Sequence, residues 1–156
     1  MFGMVNYILS SMGKYLGFCS NRGYRKQQNE KRCMPFRILV ADDNSSWRKA
    51  LRGFLELNYD WIVFEASNGY DAVHKAQLIH PDVVILDFLM PVLNGLEAAR
   101  KLKHITPDLP ILIVTLDKTH ILELAAEEAG VFAVLSKAEC GILPTLLHRR
   151  MLARAA

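Results

Sequence analysis

Three aspartates, a threonine and a lysine carry the chemistry this sequence has to offer, and each stands at the end of a short apolar run. Asp42 and Asp43 follow RILVA, Asp87 ends VVILD, Thr115 ends ILIVT and Lys137 follows VFAVLS. Brought to one place, the carboxylates would repel, since like charges about 4 Å apart cost about 4 kcal/mol at an effective dielectric of about 20. Three acids therefore call for cations. Lys137 supplies one positive charge, and a hard, oxygen-preferring divalent ion supplies the rest. Mg²⁺ fits, because it favours one or two carboxylates together with water and phosphate oxygens. An ionised aspartate beside such an ion can be a nucleophile toward phosphorus and form an acyl phosphate. A lysine and a threonine hydroxyl would then bind the phosphoryl oxygens.

Each of these residues also has a plainer reading. Asp42-Asp43 could be a helix-capping turn, because acids favour helix starts. Lys137 alone reads as a solvated side chain, and Thr115 alone as a strand end. What favours the chemical reading is that all five fall at equivalent positions of a repeating pattern.

That pattern is an alternation of strands and helices. Arg37–Ala41, Trp61–Ala66, Val83–Leu86, Ile111–Thr115 and Val131–Ser136 are short, apolar and rich in β-branched residues, as strands are. Helical spacing runs through Ser45–Leu57, Asn68–Gln77, Gly95–His104, Thr119–Ala129 and a last stretch near Glu139–Arg150. In the first of these, Trp47, Leu51, Phe54 and Leu55 share one side, opposite Arg48, Lys49 and Arg52. Asn44 or Ser45 can cap that helix, and Gly130 can stop the fourth. Five such repeats imply an α/β fold, a parallel sheet with helices on both faces. Functional residues in these sheets gather at the carboxyl ends of the strands, where the five residues stand.

The chain has 156 residues, 51% apolar and 22% charged, which suits one ordinary globular domain. Its net charge of +3 is unevenly spread. Residues 1–35 carry six Lys or Arg and one Glu, and the rest carry 13 bases and 15 acids. The body is mildly acidic, so direct nucleic-acid binding is not expected. Cys19, Cys33 and Cys140 make neither a disulfide framework nor a CxxC pair, which suits a reducing cytoplasm. The five histidines lack a partner spacing and read as surface residues, while Trp47 and Trp61 read as core or half-buried.

Residues 1–34 stand apart. Met1 to Cys19 is apolar but interrupted, and lacks the basic start and cleavage site of a signal peptide. The polar, basic run Ser20 to Arg32 reads as a linker or loose tail. The expectation is a flexible extension, or one arising from an upstream start codon, followed by a domain over 35–156. The alternative is membrane-surface contact, with Phe2, Val5, Ile8, Leu9 and Met12 in lipid and the basic run on anionic headgroups.

The motifs ILVADD, ILDFLMPVLNG, ILIVT and SK, in this order, resemble the receiver domain of two-component response regulators, of the CheY-like, single-domain type, from about Phe36 to Arg150. The resemblance implies a doubly wound, flavodoxin-like sheet of strand order 2-1-3-4-5. It implies that Asp87 accepts a phosphoryl group from a histidine kinase or histidine phosphotransfer protein. Asp43 would bind Mg²⁺ directly, Asp42 mainly through water, and the Leu89 carbonyl would be a further ligand beside Asp87. Thr115 would shift toward the phosphoryl group, Lys137 would pair with it, and Pro91 and Gly95 would shape the loop. The sequence departs from the family in three places. Ala138 follows Lys137 where the family usually has a proline, often in a cis bond; either a strained bond or a different loop path follows. Val134 stands where an aromatic often swings inward with the threonine, so the aromatic half of the usual switch is missing. Leu116 stands where a small residue is preferred, so crowded phosphodonor access or slower turnover is expected.

The leading expectation is a stand-alone phosphoacceptor that catalyses its own phosphorylation and dephosphorylation without acting on outside substrates. It would signal to an unidentified downstream protein by contact or pass the phosphoryl group onward. A pseudo-receiver, binding partners without phosphorylation, is the alternative. A phosphatase or nucleotide-binding enzyme on a similar frame is disfavoured, because Leu89 stands where a general acid would be needed, and no Walker-type loop occurs.

Overall fold

The computed structural model describes residues 35–58 and 61–155, so the expectations for residues 1–34 lie outside the described part of the chain. The β-branched runs form β1 (Phe36–Ala41), β2 (Trp61–Ala66), β3 (Val83–Asp87), β4 (Ile111–Thr115) and β5 (Ala133–Ser136). All pair in parallel in the order β2-β1-β3-β4-β5, the expected 2-1-3-4-5 sheet. The helices are α1 (Ser45–Asn58), α2 (Gly69–Ile79), α3 (Gly95–Ile105), α4 (His120–Glu128) and α5 (Leu143–Ala155), with a 3₁₀ helix over Lys137–Ile142.

Alternation along the strands divides the core. Ile38, Val40, Ile85, Leu112 and Val114 join Trp47, Leu51 and Leu55 of α1 and Leu143 and Leu147 of α5. Leu39, Ala41, Val84, Leu86 and Ile111 join Ala72 and Ala76 of α2 and Ala98, Ala99 and Leu102 of α3. The inner strands β1, β3 and β4 are buried on both faces, which explains their unbroken apolar character. Each fully buried Leu or Ile contributes about 1.5–3 kcal/mol relative to exposure.

Capping sets the helix starts. The Asn44 side chain accepts from Ser46 N and Trp47 N, both at 3.1 Å, so Asn44 is the cap of α1. Asn68, Asn94 and Thr119 accept from the backbone of Asp71, Glu97 and Leu122. Asn68 and Thr119 are therefore caps and not the first helical residues the periodicity predicts. Gly130, at φ 72°, ends the turn after α4 in a conformation that suits glycine.

Two expectations need correction. Val131 and Phe132 are not in β5: Val131 N donates back to Ala126 O at 2.9 Å, and Phe132 N to Ile111 O at 2.7 Å before strand pairing begins. The last helix does not start near Glu139, because residues 137–142 wind as the tighter 3₁₀ helix and α5 follows from Leu143.

Candidate functional site at the carboxyl rim

Register places the site. Ala41 lies opposite Ala66 on β2 and Leu86 on β3, Asp87 opposite Val114, and Thr115 opposite Ser136, so the carboxyl ends of the strands are nearly level. Asp42 and Asp43 then leave β1, Asp87 closes β3, Thr115 closes β4 and Lys137 follows β5.

Asp42, Asp43 and Asp87 each place a carboxylate oxygen within 4.8 Å of the others. Asp42 is fully buried and Asp87 is 5% exposed, whereas Asp43 is exposed. The Lys137 ammonium lies 2.6 Å from Asp42 Oδ2 and 3.0 Å from Asp87 Oδ1. This bridge spans a separation of 95 residues between Lys137 and Asp42. Charge-assisted contacts this short and this buried are among the strongest polar interactions a protein makes, and they answer the repulsion between the acids.

The lysine and the aspartate feel this arrangement differently. Burial raises the Asp87 pKa, its hydrogen bond to Lys137 pulls it back, and the charges of Asp42 and Asp43 push it up again, leaving it above the usual carboxylate value. For Lys137, burial favours the neutral amine, but hydrogen bonds and charge from Asp42 and Asp87 outweigh it, and its pKa is raised. The ammonium has two partners, while Asp87 shares its one cation with a second acid.

Backbone contacts hold the loops. Asn44 N donates to Asp42 Oδ1 at 2.7 Å, a local turn before the helix; the cap of α1 is Asn44 and not the acidic pair. Arg48 reaches back from α1 to the Asp42 carbonyl and pairs with Glu65 of β2 at 3.3 Å, buttressing the turn. After β3, Gly95 N donates to Phe88 O at 2.9 Å. A Cβ on Gly95 would sit 2.2 Å from the Asp87 carbonyl oxygen, so only glycine lets the start of α3 come this close. Leu89 lies in the same loop with its side chain exposed.

Thr115 is buried, but its hydroxyl is turned to its own loop. It donates to Asp117 O and accepts from Asp117 N, both at 3.3 Å. Leu116 is 62% exposed at the rim, and Val134 is half-buried on β5 opposite Ile113. Among the described residues no peptide bond is cis, so the chain passes Ala138 by the different path: Ser136 N donates to Glu139 Oε2 at 2.8 Å and the 3₁₀ helix begins at once. That hydrogen bond holds the Glu139 carboxyl below its usual range. His74, His80, His104 and His120 are exposed as expected, but His148 is half-buried on α5.

Two residues at the site went unassigned in the sequence. The Trp47 ring lies 4.7 Å from the Lys137 ammonium, and Arg48 holds the Asp42 carbonyl. Their positions on the first turn of α1, just after the acidic pair, were the available signal.

The donor set suits a hard divalent cation. Three carboxylates against one ammonium leave two negative charges, and every candidate ligand atom is oxygen.

Comparison with known proteins agrees with the geometry. Residues 38–141 match the family described as the response regulator receiver domain. The chain is 36% identical over 119 residues to protein-glutamate methylesterase/protein-glutamine glutaminase 2 of Methanosarcina mazei, covering 74% of this chain and 32% of that protein. It is 39% identical over 104 residues to the response regulator MprA of a Mycobacterium species, covering 67% of this chain and 45% of that protein. Among solved structures, the chemotaxis protein CheY4 of Vibrio cholerae superposes with a TM-score of 0.66 at 27% identity, covering 73% of this chain and 98% of that one. The chain spans less than half the length of the curated relatives it matches, from 16% to 46%.

Proposed function

This chain belongs to the response regulator receiver family, and from that premise we propose that Asp87 is its phosphoacceptor, charged by a histidine kinase or histidine phosphotransfer protein in an Mg²⁺-dependent reaction. Phosphoryl acceptance is general to the family. The observation that carries the assignment to Asp87 is the Lys137 ammonium held between Asp42 and Asp87.

Asp42, Asp43 and Asp87, with the Leu89 carbonyl, are the residues that would hold Mg²⁺. When bound, the ion supplies positive charge to the phosphoryl oxygens and offsets the repulsion between the carboxylates. The protein's own groups do the rest. A carboxylate oxygen of Asp87 attacks phosphorus, an O–P bond forms, and the bond from phosphorus to the donor imidazole nitrogen breaks with its electron pair passing to the ring. Lys137 balances charge on the acceptor and on the transferred group. The Thr115 hydroxyl would leave Asp117 to reach a phosphoryl oxygen. Hydrolysis of the acyl phosphate resets the site, so the chain catalyses its own modification.

We place the receiver unit at residues 35–156. In this reading the unit acts on no outside substrate, and its output is contact with a downstream protein or onward transfer of the phosphoryl group. Among the described residues no helix is long and apolar enough to cross a membrane, and the reading places the unit in the cytoplasm with its kinase.

Incubation with acetyl phosphate and Mg²⁺ tests the proposal. One phosphoryl group should be added to the wild type, none to Asp87→Asn and none with the metal chelated. A wild type that stays unlabelled with acetyl phosphate and with phosphorylated kinases would favour the alternative, a phosphorylation-independent binding module, for which Leu116, Val134 and Ala138 speak.

A further inference from the structure

We infer that Trp47 is a positioning residue for the reaction at Asp87: its indole face holds the Lys137 ammonium on the two carboxylates. The inference rests on the reading of Asp87 as phosphoacceptor.

Three observations carry it. The ammonium lies 4.7 Å from the Trp47 ring centroid, inside cation–π range, and tryptophan is the best aromatic for this contact. The indole is 6% exposed, yet Nε1 has no hydrogen-bond partner. Buried indoles usually use their N–H, so the polar edge does not account for the placement of this ring, and its face is what meets a functional group. Finally, the residue is anchored: Trp47 N donates to Asn44 Oδ1 at 3.1 Å at the start of α1. The ring also shares a core cluster with Leu51 and Leu55 of α1 and with Cys140, which lies on the same 3₁₀ helix as Lys137.

Lys137 is thus held by two carboxylates and a π face. A long, flexible lysine with three rotatable donors gains a defined position this way. Val134, where the resemblance leads one to expect an aromatic, is half-buried and aliphatic. The aromatic in contact with the Lys137 ammonium comes from α1.

The test compares Trp47→Leu, which keeps apolar bulk, with Trp47→Phe, which keeps a π face. Saturating acetyl phosphate and Mg²⁺ give the maximal labelling rate. The leucine variant should be slowed about tenfold, equivalent to ~1.4 kcal/mol, with the phenylalanine variant recovering most of the rate. In a Lys137→Ala background, Trp47→Leu should cause no further loss. Equal losses in both backgrounds, or a phenylalanine variant as slow as leucine, would make Trp47 a core filler and overturn the inference. Should Trp47→Leu fail to fold, fluorinated tryptophans incorporated in a Trp61→Phe background weaken the π face at nearly constant shape. The rate should fall stepwise with fluorine number, and a flat series overturns the inference. If the wild type takes no phosphoryl group at all, the phosphoacceptor reading fails separately. The pairing is then read in the resting protein as an upfield ring-current shift of the Lys137 Cε protons, lost in Trp47→Leu; unshifted protons in the wild type overturn it.

Discussion

On the carboxyl rim, Lys137 bridges two buried carboxylates at 2.6 and 3.0 Å, while the neighbouring Thr115 hydroxyl makes two 3.3 Å contacts with residue 117. The two follow adjacent strands, β5 and β4, of one sheet, and both side chains are largely buried. They differ in what holds them. The first is locked by charge in a poorly solvated place, where removing one partner strands the others. The second is held by neutral hydrogen bonds, each contributing about 1 kcal/mol, which a phosphoryl oxygen could replace. The difference teaches that the proposed acceptor chemistry is assembled before phosphorylation, while the part that would report on it is free to rearrange.

The largest effect that would break this comparison comes from Lys137→Met. With Asp42 fully buried and Asp87 nearly so, losing their shared cation should cost about 3–5 kcal/mol in Mg²⁺-free urea unfolding. Added Mg²⁺ should recover part of the loss. A cost under about 1 kcal/mol, the range of exposed ion pairs, would mean that the charged half is not locked at all.

Thr115→Val probes the other half and should cost about 1–2 kcal/mol, the net value of the two hydrogen bonds its hydroxyl makes. Asp87 should still be labelled, but the amide chemical-shift changes that accompany labelling should no longer reach the Leu116–Thr119 loop. Loss of labelling itself would show that the two halves are one unit.

A subtler effect concerns pH. An aspartate whose folded-state pKa is raised binds more protons folded than unfolded. Its contribution to stability is therefore complete below the ordinary value near 3.8 and is lost as pH rises through the raised folded value. Asp87→Asn removes that loss. Without metal its Tm should exceed the wild type's near pH 7, and the gap should close as pH falls toward 4, about the ordinary range for Asp. A variant less stable than wild type at neutral pH would show that the Lys137 contact outweighs the burial of the charge.

The same contrast separates what could be read in the sequence from what could not. The strand ends were legible because β-branched runs stop at Asp, Thr and Lys, and a parallel sheet brings such stops to one edge. The role of Gly95 in the loop was legible only through the family resemblance, and the structure gives its reason, a backbone approach that only glycine allows. Orientation was not. Nothing in ILIVTLD says whether the Thr115 hydroxyl faces Asp87 or its own loop, since both choices satisfy it equally. Trp47 looked like one apolar residue in a helical stripe, and only the tertiary arrangement sets its ring against Lys137. The segment after Lys137 misled because alanine after lysine leaves open a tight 3₁₀ path, which delays α5 until Leu143.

The proposed chemistry requires that Asp87 become an acyl phosphate in a metal-dependent step. The most direct measurement is borohydride trapping after incubation with acetyl phosphate, followed by peptide mass analysis, because reduction converts an aspartyl phosphate to homoserine. The account predicts homoserine at position 87 alone, with Mg²⁺ and not with chelator. Homoserine at position 42 or 43, or the same yield without metal, would contradict it.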